Sequence, residues 1–179
     1  MNPAPNLVFV GPMGAGKTSI GKRLAQRLGL EFIDADHRLE QITGAPVPLI
    51  FECEGEAGFR ARESALIAEL CAGRGQLIAT GGGAVLSAAN RQCLREHGYV
   101  VYLRVSVSQQ LKRLARDHSR PLLANGDKEE KLRTLAALRE PLYLEVADLL
   151  FDSNGLSVAH ASERLHGLVE SHWQRAMAA

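Results

Sequence analysis

The amino-acid sequence predicts an α/β protein in which helices cover both faces of a five-stranded parallel sheet, giving three α/β/α layers. Two observations lead to this prediction. Short apolar runs alternate with helical patterns along the 179 residues, and a glycine-rich loop follows the first run. Such alternation is typical of a parallel sheet covered on both sides. No repeat or long linker divides the chain, so we expect one domain spanning residues 1–179.

Five apolar runs have the length and the flanking residues of buried strands. They are Leu7–Val10, Glu31–Asp34, Gln76–Thr80, Tyr99–Arg104 and Leu149–Asp152. In open parallel sheets, ligands bind beyond the carboxyl ends of the strands. We therefore expect the functional residues to lie where these runs end.

The loop after the first strand carries the most informative motif. Residues 11–18 read Gly-Pro-Met-Gly-Ala-Gly-Lys-Thr and fit the phosphate-binding P-loop spacing G-x-x-x-x-G-K-[ST]. A helical pattern follows, so backbone N–H groups and the helix dipole can bind a triphosphate. We predict that Lys17 contacts the β- and γ-phosphates and that the Thr18 hydroxyl binds Mg²⁺. The predicted nucleotide-binding set in this loop is Gly14, Ala15, Gly16, Lys17, Thr18 and Ser19.

Two carboxylates, Asp34 and Asp36, end the second strand. In extended structure, side chains two residues apart point to the same side. Beside a P-loop, one acid can hold Mg²⁺ and the other can accept a hydrogen bond from the attacking hydroxyl group. The alternative is that the pair serves as loop and N-cap residues before a helix that begins near Arg38.

A long helical pattern between the second and third strands carries one buried stripe. Its members are Phe59, Glu63, Leu66, Ile67 and Leu70. Arg60 lies off the centre of this stripe and can face a cleft, whereas Arg62 is expected to face solvent.

The third strand ends in three consecutive glycines, Gly81, Gly82 and Gly83. Ordering three glycines is costly, so we expect a backbone that a ligand approaches closely rather than a simple turn. No aspartate closes this strand, and Asp34 is therefore the nearest candidate for the acidic partner of the metal.

The second half of the chain adds a predicted lid and two further arginines. A helix is predicted over Ser108–Asp117, and residues 116–128 have the composition of a mobile loop. A P-loop transferase needs a lid that excludes water, and Arg120 can supply positive charge to the phosphoryl group when the lid closes. Arg139 precedes Pro141 inside a helical pattern, which predicts a kink or a helix junction. The tail around Trp173 is expected to be a helix.

The composition is that of an ordinary globular protein, and it excludes several partners. Hydrophobic residues make up 46% and charged residues 23% of the chain, and the net charge is +1. This balance gives no general attraction to nucleic acid or to membranes. Three widely spaced cysteines predict neither a disulfide framework nor a zinc site, so we expect reduced thiols. With no signal peptide or membrane span indicated, we expect a cytoplasmic protein.

Taken together, the motifs resemble the shikimate kinase family, small P-loop kinases of the nucleoside monophosphate kinase structural group. The resemblance spans nearly the whole chain. It rests on the order and spacing of six motifs: the P-loop, Phe32–Asp36, the segment from Ile50 to Glu63, Gly81–Val85, Arg120–Leu123 and Arg139-x-Pro141-x-Tyr143.

The resemblance implies transfer of the γ-phosphoryl group of ATP to the 3-hydroxyl group of shikimate, with Mg²⁺ as cofactor. Asp36 would bind the shikimate hydroxyls and accept the proton, and Asp34 would hold Mg²⁺ through water. Arg60 and Arg139 would clamp the shikimate carboxylate, because each guanidinium presents a fixed fork of donors. The remaining implied contacts are Gly81, Gly82 and Gly83 lining the shikimate site, Arg113 stacking on adenine and Arg120 acting from the lid.

Two alternatives remain at the level of sequence. A related small-molecule kinase, such as gluconate kinase, shares the P-loop and the small size, and its acceptor also has a carboxylate. A nucleotide-dependent switch protein that acts on a partner is disfavoured by the acidic pair and the arginines, since a switch needs no site that orients a hydroxyl group. We expect a monomer whose substrates are shikimate and ATP, with residues 35–63 forming the substrate-binding segment.

Overall fold

The computed structural model describes residues 2–115 and 127–175. The strands are β1 (Asn2–Ala4), β2 (Asn6–Val10), β3 (Glu31–Asp34), β4 (Gln76–Ala79), β5 (Gly98–Arg104), β6 (Leu149–Asp152) and β7 (Trp173–Arg175). The helices are α1 (Lys17–Leu28), α2 (Ala35–Thr43), α3 (Val47–Ala72), α4 (Ala88–His97), α5 (Val107–Leu114), α6 (Lys128–Val146) and α7 (Val158–His172), with a 3₁₀ turn over Ala84–Leu86.

The five predicted strands form one parallel sheet in the order β3-β4-β2-β5-β6. Strand β2 occupies the centre, where both of its faces are covered, and its five residues are fully buried. This explains why β2 is an unbroken apolar run apart from Asn6, rather than an alternating pattern. The predicted five-stranded parallel sheet is confirmed.

Alternate residues of the central strands divide the core into two layers, because successive side chains of a strand point to opposite faces. On one face, Leu7 and Phe9 pack with the apolar sides of α1 and α7. On the other, Val8 and Val10 pack with residues of α2, α3, α4 and α6. The predicted three-layer arrangement is therefore confirmed, with the larger set of helices on the second face.

Helix α3 bends at Gly55, whose φ of 69° and ψ of −179° are not helical. The predicted stripe lies after this bend. Phe59, Glu63, Leu66, Ile67 and Leu70 are all buried, as predicted. Glu63 is thus a carboxylate on the apolar side of a helix, and it needs a polar partner there.

Two predicted features of the second half can be compared with the structure. The helix junction at Pro141 is wrong, because α6 runs as one element through this residue, and the alternative of a kink stays a prediction. Trp173 begins the short strand β7, which pairs with β1, and does not lie in a helix. Its ring is buried and its Nε1 atom donates to the carbonyl of Ala4 at 3.1 Å. This carbonyl lies 169 residues away in sequence, beyond the reach of local pattern.

No helix within residues 2–115 and 127–175 combines the length and the apolar character that a bilayer span requires.

Candidate active site

A cavity of about 660 Å³ opens at the carboxyl ends of β2, β3 and β4, where the sequence predicted the ligands to bind. The predicted site residues that line it are Gly14, Gly16, Lys17, Thr18, Ser19, Asp34, Asp36, Arg60, Gly81, Gly82, Gly83, Arg113 and Arg139. Ala15 is fully buried behind the loop. Arg120 and most of the predicted lid fall in 116–126, outside the described residues.

The P-loop joins β2 to α1 in a conformation suited to an anion. Gly14 and Gly16 have φ values of 76° and 93°, which L side chains rarely adopt, and α1 begins at Lys17. The N–H groups of the first helical turn therefore face the cavity together with the positive end of the helix dipole. Lys17 Nζ donates to the carbonyls of Gly11 at 2.7 Å and Pro12 at 2.9 Å, which holds the lysine across the loop.

Asp34, the last residue of β3, links this strand to the P-loop helix α1. Its Oδ2 atom accepts a hydrogen bond of 2.6 Å from the Thr18 hydroxyl, and its Oδ1 atom accepts one of 3.2 Å from the backbone N–H of His37. The second bond makes Asp34 the N-cap of α2. Asp34 therefore fits both alternatives drawn from the sequence, because it caps a helix and also lies beside the predicted metal ligand Thr18.

The sequence predicted that Asp36 lies in extended structure beside Asp34, and the structure contradicts this. Because Asp34 caps a helix that begins at Ala35, Asp36 lies in the first turn of α2 and not in a strand. Its carboxylate nevertheless lines the same cavity. A methyl group at Gly81 would lie 2.9 Å from Asp36 Oδ1 and 2.8 Å from Glu63 Oε1, so both carboxylates approach this glycine closely.

Arg60 lies on α3 between two glutamates. Its Nη1 atom is 2.7 Å from Glu63 Oε2, and its Nη2 atom is 3.3 Å from Glu56 Oε1. Burial raises the pKa of Glu63, while the charge and hydrogen bond of Arg60 oppose that shift. Asp36 adds repulsion and Arg139 adds attraction, which indicates that these four charged groups form one cluster. Arg62 is exposed and pairs with Glu54, as predicted for a solvent-facing residue.

The triple glycine makes room for this cluster. A methyl group at Gly83 would lie 2.5 Å from the guanidinium carbon of Arg60, and one at Gly82 would lie 3.6 Å from Arg139 Nη1. The same position on Gly82 is 3.6 Å from the backbone of Gly11 and Met13. The sequence predicted close approach by a ligand, and the structure shows that charged side chains of the protein approach the turn. This turn also brings the charged cluster against the P-loop.

Several buried polar atoms of the cluster lack a hydrogen-bond partner among the described residues. They are Arg60 Nε, Glu63 Oε1 and Arg139 Nε. Arg139 itself is only 5% exposed. Buried polar groups are almost always hydrogen-bonded, so such atoms at a cavity wall indicate a polar ligand.

Arg113 closes the opposite end of the cavity. It donates to the carbonyl of Gly14 at 2.8 Å and to the carbonyl of Ser153 at 2.9 Å, joining the P-loop to the segment after β6. The Ser153 hydroxyl donates to the carbonyl of Ala15 at 3.1 Å. Leu156 and Val158 line the cavity beside them. This end combines an apolar wall with the P-loop, as a nucleotide site requires.

Three supporting residues were not assigned by the sequence. Gln110 is buried and donates to the carbonyl of Met13 at 2.8 Å, Glu63 pairs with Arg60, and Tyr143 donates to the carbonyl of Gly82. Glu63 left a signal, a carboxylate within an apolar helical stripe. The partners of Gln110 and Tyr143 are 97 and 61 residues away, so no local pattern identifies them.

The cavity offers few protein ligands for a metal ion. No group of three or more His, Cys, Asp and Glu residues within these ranges is arranged to hold an ion. The oxygen atoms of Thr18 and Asp34 nevertheless fit Mg²⁺, which takes few ligands from protein and the rest from phosphate and water.

Comparisons with known proteins identify relatives of this arrangement. A family model described as shikimate kinase matches residues 13–169. The chain is 53% identical over 175 residues to a shikimate kinase of Stenotrophomonas maltophilia (strain R551-3), covering 98% of this chain and 97% of that relative. A solved shikimate kinase from Acinetobacter baumannii in complex with shikimate matches at 47% identity and a TM-score of 0.91, covering 94% of each chain. A gluconokinase from Sinorhizobium meliloti, at 21% identity and a TM-score of 0.55 over 96% of this chain and 95% of that one, shares the fold alone.

Proposed function

We propose that this chain, which belongs to the shikimate kinase family, transfers the γ-phosphoryl group of ATP to the 3-hydroxyl group of shikimate. The products are ADP and shikimate 3-phosphate, in the pathway to chorismate and the aromatic amino acids. One observation carries the proposal: the poorly exposed guanidinium groups of Arg60 and Arg139 share a cavity wall with Asp36, directly against a P-loop.

The P-loop end of the cavity is the proposed ATP site. Backbone N–H groups at the start of α1 bind the phosphates, and Lys17 leaves its loop carbonyls to contact the β- and γ-phosphates. Thr18 would hold Mg²⁺ directly and Asp34 would hold it through water. The bound ion neutralises charge on the phosphates. We propose that adenine packs against the guanidinium plane of Arg113, which its bonds to Gly14 and Ser153 fix in place.

The charged cluster at the other end is the proposed shikimate site. Arg60 and Arg139 bind the carboxylate, because a planar guanidinium matches the two oxygen atoms of a carboxylate. The Gly81–Gly83 backbone lines the site on one side of the shikimate ring. Asp36 accepts a hydrogen bond from the shikimate hydroxyls and takes the proton of the 3-hydroxyl group as the new bond to phosphorus forms.

Transfer of a phosphoryl group depends mainly on positioning and on stabilisation of charge. A methyl group on Gly82 would lie 3.6 Å from the Gly11 carbonyl oxygen and the Met13 nitrogen, and this closeness of the turn to the P-loop supports placing the two substrates side by side. Arg120 lies outside the described residues, and its proposed role, donating to the transferring phosphoryl group from a lid over 116–128, rests on the sequence. A cytoplasmic, monomeric, single-domain enzyme also belongs to this proposal, and light scattering measures its oligomeric state.

An acceptor screen tests the proposal directly. Purified protein with ATP and Mg²⁺ is offered shikimate, gluconate or no acceptor, and ADP release is followed in a coupled assay. We expect turnover with shikimate only. In ³¹P NMR spectra, the γ-phosphate signal of ATP should disappear and the signal of a 3-phosphorylated product should appear. Lys17→Met serves as the inactive control and should lower kcat on the order of 10²- to 10³-fold.

Each alternative has its own outcome in the same screen. Equal or faster turnover of gluconate would identify another small-molecule kinase. ATP hydrolysis that shikimate does not accelerate would favour a switch protein. Either result would overturn the assignment of the acceptor site.

A further inference from the structure

Tyr143 holds two walls of the acceptor site together without lining the cavity itself. It lies on α6, is 2% exposed, and its hydroxyl group donates to the carbonyl of Gly82 at 2.5 Å. Its ring stacks on that of Tyr102 in β5, with centroids 5.1 Å apart and an angle of 28° between the rings. The ring is therefore fixed by the sheet, and its hydroxyl group is fixed by the triple-glycine turn.

Arg139 lies one helical turn before Tyr143 on the same side of α6. The positive charge of its guanidinium acts on the Tyr143 hydroxyl and lowers the pKa of that group. Burial is the larger effect and raises the pKa of Tyr143 to about 12. The hydroxyl group thus stays protonated at neutral pH and keeps its donor for Gly82.

The chemistry of the three groups explains why a tyrosine stands here. A guanidinium only donates hydrogen bonds, and a carbonyl only accepts them, so each can be satisfied by a group that does both. The phenol hydroxyl of Tyr143 donates to Gly82 and still presents an acceptor towards Arg139 on the same side of the helix. Because Arg139 Nη1 is also close to Gly82, at 3.6 Å from the position of a methyl group on that residue, the three groups form a compact triangle.

We propose that Tyr143 is a positioning residue for the acceptor carboxylate, setting the place of Arg139 relative to the Gly81–Gly83 turn; this rests on the proposed function. Without the hydroxyl group, the triple-glycine turn loses its hydrogen bond to the helix that carries Arg139. Binding of the acceptor is then weakened, while the P-loop end of the cavity is unaffected.

The test compares Tyr143→Phe with Tyr102→Phe, which removes the hydroxyl group of the other ring in the same stack. For Tyr143→Phe we expect the KM for shikimate to rise on the order of tenfold, as for loss of a hydrogen bond that leaves a buried carbonyl without a partner. The KM for ATP should stay within twofold of the wild-type value. Tyr102→Phe should leave both constants unchanged.

A double-variant cycle separates positioning from a general effect on stability. If Tyr143 acts through Arg139, the rise in shikimate KM for Arg139→Lys combined with Tyr143→Phe should be smaller than the product of the two single rises. Equal rises in both KM values, no rise in shikimate KM, or full multiplicativity would overturn the inference. If Tyr143→Phe fails to fold, as measured by thermal melting, Tyr143→p-aminophenylalanine keeps a donor for Gly82 and should leave the shikimate KM near the wild-type value; a rise on the order of tenfold in this variant would contradict the inference. Wild-type turnover of shikimate in the same experiment tests the proposed function separately.

Discussion

The hydroxyl group of Thr18 lies 2.6 Å from Asp34 Oδ2, joining the first turn of α1 to the last residue of β3. This bond aligns two oxygen atoms at the P-loop end of the cavity, although the residues are 16 positions apart in sequence. The same carboxylate caps α2 through His37. One aspartate therefore sets both the proposed metal site and the start of the helix that carries Asp36.

Replacing this carboxylate should change the requirement for metal. For Asp34→Asn we expect the Mg²⁺ concentration that gives half-maximal activity to rise on the order of tenfold. An amide oxygen accepts hydrogen bonds from the ion's water ligands more weakly than a carboxylate does. Magnesium titrations at saturating ATP and shikimate measure this. Asp152→Asn, an exposed change on β6, is the control. Equal magnesium requirements in both variants would contradict the role of Asp34.

The triple glycine allows a test of close packing by a single methyl group. Gly83 has a φ of −98°, which alanine adopts without strain, so the effect of Gly83→Ala should come from contact with Arg60 alone. We expect the KM for shikimate to rise at least on the order of tenfold, with little change in the KM for ATP, because the guanidinium must move. An unchanged shikimate KM would show that Arg60 does not bind the acceptor from its observed position.

Gly167→Ala is the matched control for that variant. Gly167 lies within α7, and a methyl group there would meet nothing within 4 Å. Alanine in a helix interior is favoured over glycine by about 1 kcal/mol, so the melting temperature should rise by roughly 2–4 °C. Both KM values should remain those of the wild-type protein.

Glu63 should make folding stability depend on pH. Burial raises its pKa, so between the pKa of an exposed glutamate, about 4.3, and the higher folded value, the folded state binds more protons than the unfolded state. The contribution of this group is complete below the unfolded pKa and is lost as pH rises through the folded pKa. Glu63→Gln removes this titration.

Thermal melting from pH 4 to pH 8 measures the effect. The melting temperature of the wild-type protein relative to Glu63→Gln should fall as pH rises. Glu69→Gln, an exposed change on the same helix, corrects for the loss of one negative charge. A relative melting temperature that rises with pH would show that Arg60 outweighs burial and lowers the pKa of this carboxyl.

Arg113 should affect the nucleotide and not the acceptor. It connects the carbonyls of Gly14 and Ser153, so Arg113→Ala removes the link between the P-loop and the segment after β6. We expect the KM for ATP to rise on the order of tenfold, with the KM for shikimate unchanged. Arg113→Lys should not restore the value, because one ammonium cannot reproduce the two directed bonds. The exposed Arg62→Ala is the control, and a rise in shikimate KM instead would contradict the assignment.

The two halves of the site differ in how far the sequence predicted them. A detailed prediction of the proposed ATP half was possible because the P-loop is contiguous, so residue types and spacing define its backbone. The acceptor half is assembled from α2, α3, the turn after β4 and α6. The resemblance to a family named Asp36, Arg60 and Arg139, but it could not give their partners.

Local sequence patterns also gave wrong predictions of backbone structure at two positions, Asp36 and Trp173. The apolar run before Asp34 suggested that the strand continues to Asp36, whereas a side-chain cap at Asp34 ends it. Trp173 was expected in a helix, and its pairing with the first strand depends on residues at the other end of the chain. Both errors arise where a hydrogen bond, and not hydrophobic periodicity, decides the backbone.

By itself, the sequence determined the five strands and their three-layer cover, the anion-binding loop and the identity of the charged residues, since periodicity and contiguous motifs are local properties. Only the tertiary structure decided that Glu63 pairs with Arg60, that the glycines make room for side chains, and that Tyr143 joins Arg139 to Gly82. Those relationships depend on distances of a few ångströms between elements far apart in the chain. Such distances follow from the packing of helices on the sheet, which no local pattern records.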